Sequence, residues 1–129
     1  MLNGPERTMV AKGVDLDSDD TSGIDVALEA AKASDVVVVC LGIGFDQEHE
    51  EMDRNNTLLP GLQGSFAQQV IAVGKPVVLV LVNGGMVSID LLVDKVDGIV
   101  EAFYPGRRAG EALYRALFGL VSSANAGSK

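Results

Sequence analysis

The chain has 129 residues, 47% hydrophobic and 22% charged, the profile of one globular domain and not of a disordered segment. Its 18 acidic residues against 10 basic ones, a net charge of −8, exclude the basic face that nucleic acid or an anionic membrane requires. One cysteine and one histidine exclude a disulfide framework and a multi-cysteine or multi-histidine metal centre, so neither metal nor cofactor is expected.

The first 12 residues carry no apolar signal core, and no apolar run approaches the length of a membrane span. A single soluble domain over residues 1–129 is expected, with residues 1–6 and 122–129 as frayed tails. In chain order, residues 8–12 read as a weak strand. Ile24, Ala27, Leu28 and Ala31 then fall on one helical face. Ser22 with Asp25 three positions on resembles a capping box. Residues 36–41 form a valine-rich strand holding Cys40, which is expected to be an inert core thiol. A helix follows from Pro60 through Leu62, Phe66, Val70 and Val73, with Gly74 placed to stop it. Residues 76–82 form the next strand. A short helix near Ser88 carries Ile89 and Leu92, residues 98–103 form a fourth strand, and Ala109, Ala112, Leu113, Ala116 and Leu117 share a last helical face.

Continuous valine runs are strands buried on both faces, and strand–helix alternation implies parallel pairing. The expected fold is α/β: a three-layer sandwich, flavodoxin- or Rossmann-like, with a mostly parallel sheet of about four strands. In such a sheet every loop that follows a strand leaves from one edge, where sites form. Here those are residues 42–56, 83–87 and 104–108. The first is long and acidic, with Asp46, Glu48, Glu50, Glu51 and Asp53 close together. A carboxylate there could act as a general acid, or the whole stretch could be a solvated acidic loop. Asn83-Gly84-Gly85 reads equally as a site loop or as glycines making a tight turn.

Sharper motifs fail. Gly42-Ile43-Gly44 begins a dinucleotide pattern, but Gln47 stands where the third glycine belongs. Asp15, Asp17 and Asp19 have calcium-loop spacing, but Asp20 replaces the turn glycine and Val26 the closing glutamate. His49 has no second residue to form a ligand pair or a catalytic couple and reads as a surface residue.

Ala33-Ser34-Asp35-Val36-Val37-Val38-Val39, Gly42 through Glu48, Asp53-Arg54, Leu59-Pro60-Gly61, Gly74-Lys75-Pro76, Asn83-Gly84-Gly85 and Tyr104-Pro105-Gly106 occur in that order. The ordered set resembles the C-terminal α/β sandwich domain of glycoside hydrolase family 3, of the β-glucosidase and β-xylosidase type, over about residues 22–119. Arg107, Arg108, Ala109 and Gly110 depart from the family's usual acidic residues and paired glycines after Pro-Gly.

The resemblance implies a domain that packs beside a catalytic barrel. The barrel holds the nucleophile and the sandwich lends the acid/base glutamate. By position that residue is Glu48, with Glu50 in reserve. Asp46, Asp53 and Arg54 are then substrate-loop residues, the last two shaping the loop through a local ion pair. Retaining hydrolysis needs two carboxyl groups about 5–5.5 Å apart, and closure of a barrel mouth over Glu48 would raise its pKa. The expected ligand is a β-glycoside and the expected partner a barrel domain or chain, so the chain alone is expected to be inactive. A homodimer is also expected, because a sandwich without its barrel exposes apolar surface. Two other readings remain: a non-catalytic binding or assembly module that keeps the fold, and a small-molecule-binding domain that uses the glycine loops.

Overall fold

The two valine-rich runs form the middle of the computed structural model, which describes residues 4–51 and 54–121. The elements are α1 (Ile24–Ala33), β1 (Val37–Gly42), α2 (Gln63–Ala72), β2 (Val77–Val82), β3 (Gly98–Glu101) and α3 (Ala109–Leu117). Short 3-10 turns lie at Pro5–Arg7, Val93–Lys95 and Gly106–Arg108. The strands form one parallel sheet in the order β1-β2-β3. Val37 pairs with Val77 and Gly42 with Val82, while Val78 pairs with Gly98 and Leu81 with Glu101. The fold is an α/β sandwich, an open parallel sheet flanked by helices, with three strands instead of about four.

The missing strand is residues 8–12, which are not in the sheet. This segment runs over the helical layer: a Cβ on Gly13 would strike the Phe66 ring, and one on Gly23 would strike the Lys12 carbonyl. Held there, it makes none of the ladder hydrogen bonds that would add it to the sheet.

The core lies on one face of the sheet. Ile24, Ala27 and Ala31 of α1 and Phe66, Ala67 and Val70 of α2 pack on Val39, Leu41, Val77, Leu79 and Leu81. Leu79 is 1% exposed, and burial of such a side chain contributes about 2 kcal/mol. The opposite face is covered unevenly. Val80 is 1% exposed at the centre, but Val38 on the edge strand is 46% exposed. β1 is therefore buried on one face only. Cys40 shares the open face and is exposed, which corrects its reading as a core residue. Partial burial still pushes its thiol pKa up. α3 has no fully buried residue.

Three local expectations change. Ser22 does not cap α1; its hydroxyl donates to Asp20 Oδ2 at 3.0 Å and the first turn starts from Gly23. α2 begins at Gln63, with Pro60 ahead of it, and ends at Ala72, just before Gly74 as expected; the Gly74 N–H donates to the Ile71 carbonyl. The helix expected near Ser88 is only the 3-10 turn Val93–Lys95. Its sequence has too few residues to offset helix nucleation, and buried Leu92 anchors the turn instead. No helix among the described residues is long and apolar enough to cross a membrane.

Candidate functional site

Parallel pairing ends β1, β2 and β3 at one edge, and the three following loops meet there. Close packing begins at Gly42, where a Cβ would lie 1.9 Å from the Val82 carbonyl oxygen. On the outer side of β1, Gln63 replaces the missing strand neighbour. Its Oε1 accepts from Gly42 N–H at 2.8 Å, and its Nε2 donates to Gly42 O at 2.8 Å and to Leu16 O at 2.6 Å. Gln63 is 2% exposed, so this pairing keeps buried backbone satisfied.

The first loop turns tightly after Gly44, whose carbonyl accepts from Gln47 and Glu48 N–H. The turn aims Glu48 at the other two loops. Its Oε1 accepts from Gly84 N–H at 2.8 Å, Gly85 N–H at 2.8 Å and Tyr104 O–H at 2.6 Å, and its Oε2 accepts from Gly85 N–H at 2.9 Å. A Cβ on Gly85 would sit 2.2 Å from Glu48 Oε2, and one on Gly84 would sit 2.6 Å from the Tyr104 ring. Neither glycine has a positive φ, so close approach of the carboxylate, and not turn conformation, excludes a side chain here. The Tyr104 hydroxyl first, then the Gly85 and Gly84 N–H groups and the Arg54 charge, hold Glu48 below the ordinary carboxylate range against the opposing effect of burial. Burial, followed by the hydrogen bond to Glu48 and then the Glu48 charge, pushes the Tyr104 phenol up.

These residues line an open cleft of about 660 Å³, together with His49, Arg54, Thr57 and Met86. Arg54 Nη1 donates to Met86 O at 2.9 Å and Nη2 to Leu58 O at 2.5 Å. The guanidinium thus fastens the chain after the acidic loop to the loop after β2. Thr57 and Ser88 hydroxyls, 2.5 Å apart, add a second tie. Asn83 is 4% exposed and donates to Gly85 O at 2.9 Å; its Oδ1 has no partner among the described residues. His49 stacks on Phe45, with ring centroids 4.8 Å apart.

Of the residues singled out from sequence, Glu48 and Arg54 line the same cleft. Asp46 lines an adjoining depression with Asp17 and Arg54. Glu50 lies exposed on the turn and has no hydrogen bond or ion pair among the described residues. Asp53, and with it the expected Asp53–Arg54 ion pair, lies outside the described residues. Tyr104 and Gln63 were not singled out as site residues. Tyr104 could have been found as a hydroxyl in a strand-end loop. Gln63 carried no signal beyond being polar at the start of an apolar helix. Lys12 engages Asp15 at 2.5 Å, and no group of three or more metal-ligating side chains occurs among the described residues.

The fold is thus an α/β sandwich that gathers a carboxylate, a phenol and a guanidinium at its strand ends. Residues 4–125 match the glycosyl hydrolase family 3 C-terminal domain, and the chain belongs to that family. A β-xylosidase of Formosa agariphila is 39% identical over 87% of the chain and 16% of its own length. A probable β-D-xylosidase of Arabidopsis thaliana is 36% identical over 92% of the chain and again 16% of its own length. Among solved structures, a family 3 exo-β-xylosidase bound to a xylobiose aziridine probe superposes with a TM-score of 0.82 at 37% identity, covering 85% of this chain and 15% of that one. A family 3 β-glucosidase of Bifidobacterium adolescentis gives 0.76 at 36% identity, covering 83% of this chain and 16% of that one. The chain thus spans about a sixth of the length of these relatives.

Proposed function

We propose that the chain is the sandwich part of a β-xyloside or β-glucoside hydrolase, and that it supplies the acid/base carboxylate to a sugar held by a barrel domain. The observation that carries this reading is the rim: three strand-end loops tied around Glu48, with Glu50, two positions on, exposed and without a hydrogen bond or ion pair among the described residues. A carboxylate beside a cleft suits proton transfer to a leaving oxygen. The second carboxyl group, the nucleophile, and the sugar subsites come in this reading from the barrel. Asp46 and Arg54 contribute to the shape of the substrate loop.

The experiment mixes the chain with the barrel-bearing remainder of a family 3 β-xylosidase and follows hydrolysis of 4-nitrophenyl β-D-xyloside and β-D-glucoside. Turnover by the mixture, absent from either part alone, supports the reading. Binding of the two parts without turnover would favour the non-catalytic assembly module. A second reading concerns self-association. Val36 and Val38, 54% and 46% exposed near the open edge of β1, present the apolar surface a homodimer would cover. Sedimentation of the chain tests it; a monomer at high micromolar concentration removes it.

A further inference from the structure

Resting on the proposed function, we propose that His49 is a specificity-determining residue: its ring, backed by Phe45, is a platform for a leaving group that is itself a sugar. The place of His49 in the cleft carries this assignment. It stands between Glu48 and Glu50, the two candidate acid/base carboxylates. An acid/base group gives its proton to the glycosidic oxygen, which departs with the leaving group. A side chain between the two carboxylates is therefore on the leaving-group side of the bond. His49 and Met86 line the cleft together with Glu48. Glu48 holds the N–H groups of Gly84 and Gly85, the residues just before Met86. A ring bound against His49 thus lies beside Glu48, with Met86 in the same cavity.

The platform is fixed before any ligand arrives. The tight turn after Gly44 puts Phe45 and His49 four positions apart on one turn. Their rings stack with centroids 4.8 Å apart and planes 19° from parallel. His49 Nδ1 lies 3.0 Å from the Phe45 carbonyl oxygen. A carbonyl only accepts, so Nδ1 carries the proton and the neutral ring keeps a lone pair on Nε2. Nε2 has no hydrogen-bond partner among the described residues. One face of the imidazole is taken by Phe45; the other face and Nε2 are what an occupant of the cleft can use. A pyranose ring matches both, with an apolar C–H face to stack and a hydroxyl to donate to Nε2. An aryl group matches the face alone. Met86 is 77% exposed, and Arg54 holds its carbonyl at 2.9 Å. Its flexible thioether adapts to the outline of the bound ring. A ring already held in place loses little freedom on binding, which favours the contact.

The test compares two leaving groups. In the barrel mixture, hydrolysis of xylobiose and of 4-nitrophenyl β-D-xyloside is measured for wild type, His49→Ala and His49→Phe. For xylobiose, His49→Ala is expected to raise KM about tenfold and His49→Phe about threefold, with kcat changed by less than about twofold in both. For the aryl glycoside, His49→Ala is expected to raise KM about threefold, while His49→Phe, a ring without the nitrogen, keeps the wild-type value. An unchanged KM for xylobiose in His49→Ala overturns the proposal. So does a loss confined to kcat, or a His49→Phe variant that affects both substrates equally. A wild-type mixture without turnover counts against the proposed function, and a second arm then decides the role of His49. There xylobiose is titrated into the chain alone and followed at the Cε1–H resonance of His49, the only histidine. A saturable shift in wild type, weakened in Phe45→Ala, is expected; a resonance that does not move overturns the proposal.

Discussion

The α1–α2 face of the sheet and the rim at its strand ends are held by different forces. The face is apolar and dry: Leu79, Val70 and Val77 are each 1–2% exposed. The rim is open, and its exposed apolar side chains, Phe45 at 76%, Met86 at 77% and Phe103 at 62%, bury little. Its order comes from directed bonds to a few charged or polar groups, chiefly Glu48 and Arg54. Hydrophobic burial tolerates no hole but has no direction, whereas a carboxylate fixes the relative positions of loops at small net cost in stability. The face sets whether the chain folds, and the rim sets where site residues stand.

Four substitutions break or sharpen that contrast. Leu79→Ala should have the largest effect, a loss of about 3 kcal/mol in denaturant unfolding, with Tyr104 still on Glu48 in the folded population. Gln63→Ala removes partners from Gly42 N–H and C=O and from Leu16 C=O. It should cost about 2 kcal/mol by the same measurement. Gly85→Ala pushes the Glu48 carboxylate out of its place. The cost should be only about 1 kcal/mol, but the Gly84 amide and Tyr104 ring resonances should shift while the core spectrum stays fixed. Glu51→Gly acts in the other direction. Glu51 sits at φ 76°, and glycine there should stabilise by about 0.5 kcal/mol, the relief of strain exceeding the added chain entropy.

Much of the face was legible in the sequence. The run Val77-Val78-Leu79-Val80-Leu81 is continuous because β2 is buried from both sides, and Ile24, Ala27 and Ala31 keep helical spacing because α1 presents one stripe to the sheet. The same rule misplaced Cys40: burial on both faces holds for the central strand and fails at an edge, and strand order is not written in a local run. Residues 8–12 looked extended and are extended, but pairing needs a neighbour that only the tertiary structure supplies. At the rim, the acidic loop and the glycine pair stood out as composition. Their connection did not, because Glu48 and Gly84 are 36 positions apart and Glu48 and Tyr104 are 56 apart. Family resemblance named Glu48 from its position in a motif, which cannot separate a carboxylate that accepts hydrogen bonds from one that transfers a proton.

The rim also predicts a dependence on pH. A glutamate whose folded pKa lies below its unfolded value stabilises the fold above the ordinary carboxylate range, and that contribution is lost as pH falls through the lowered folded value. Unfolding measurements from neutral to strongly acidic pH should therefore show a loss in wild type that Glu48→Gln does not share.

The most direct test of the central claim, that Glu48 is held ionised by the other two strand-end loops, is a carbon-13 titration of its carboxyl group with the Gly85 amide followed in the same samples. The account predicts a Glu48 midpoint below the ordinary glutamate range and a Gly85 amide shift that moves with it. An ordinary midpoint, with a Gly85 amide that does not respond, would contradict it.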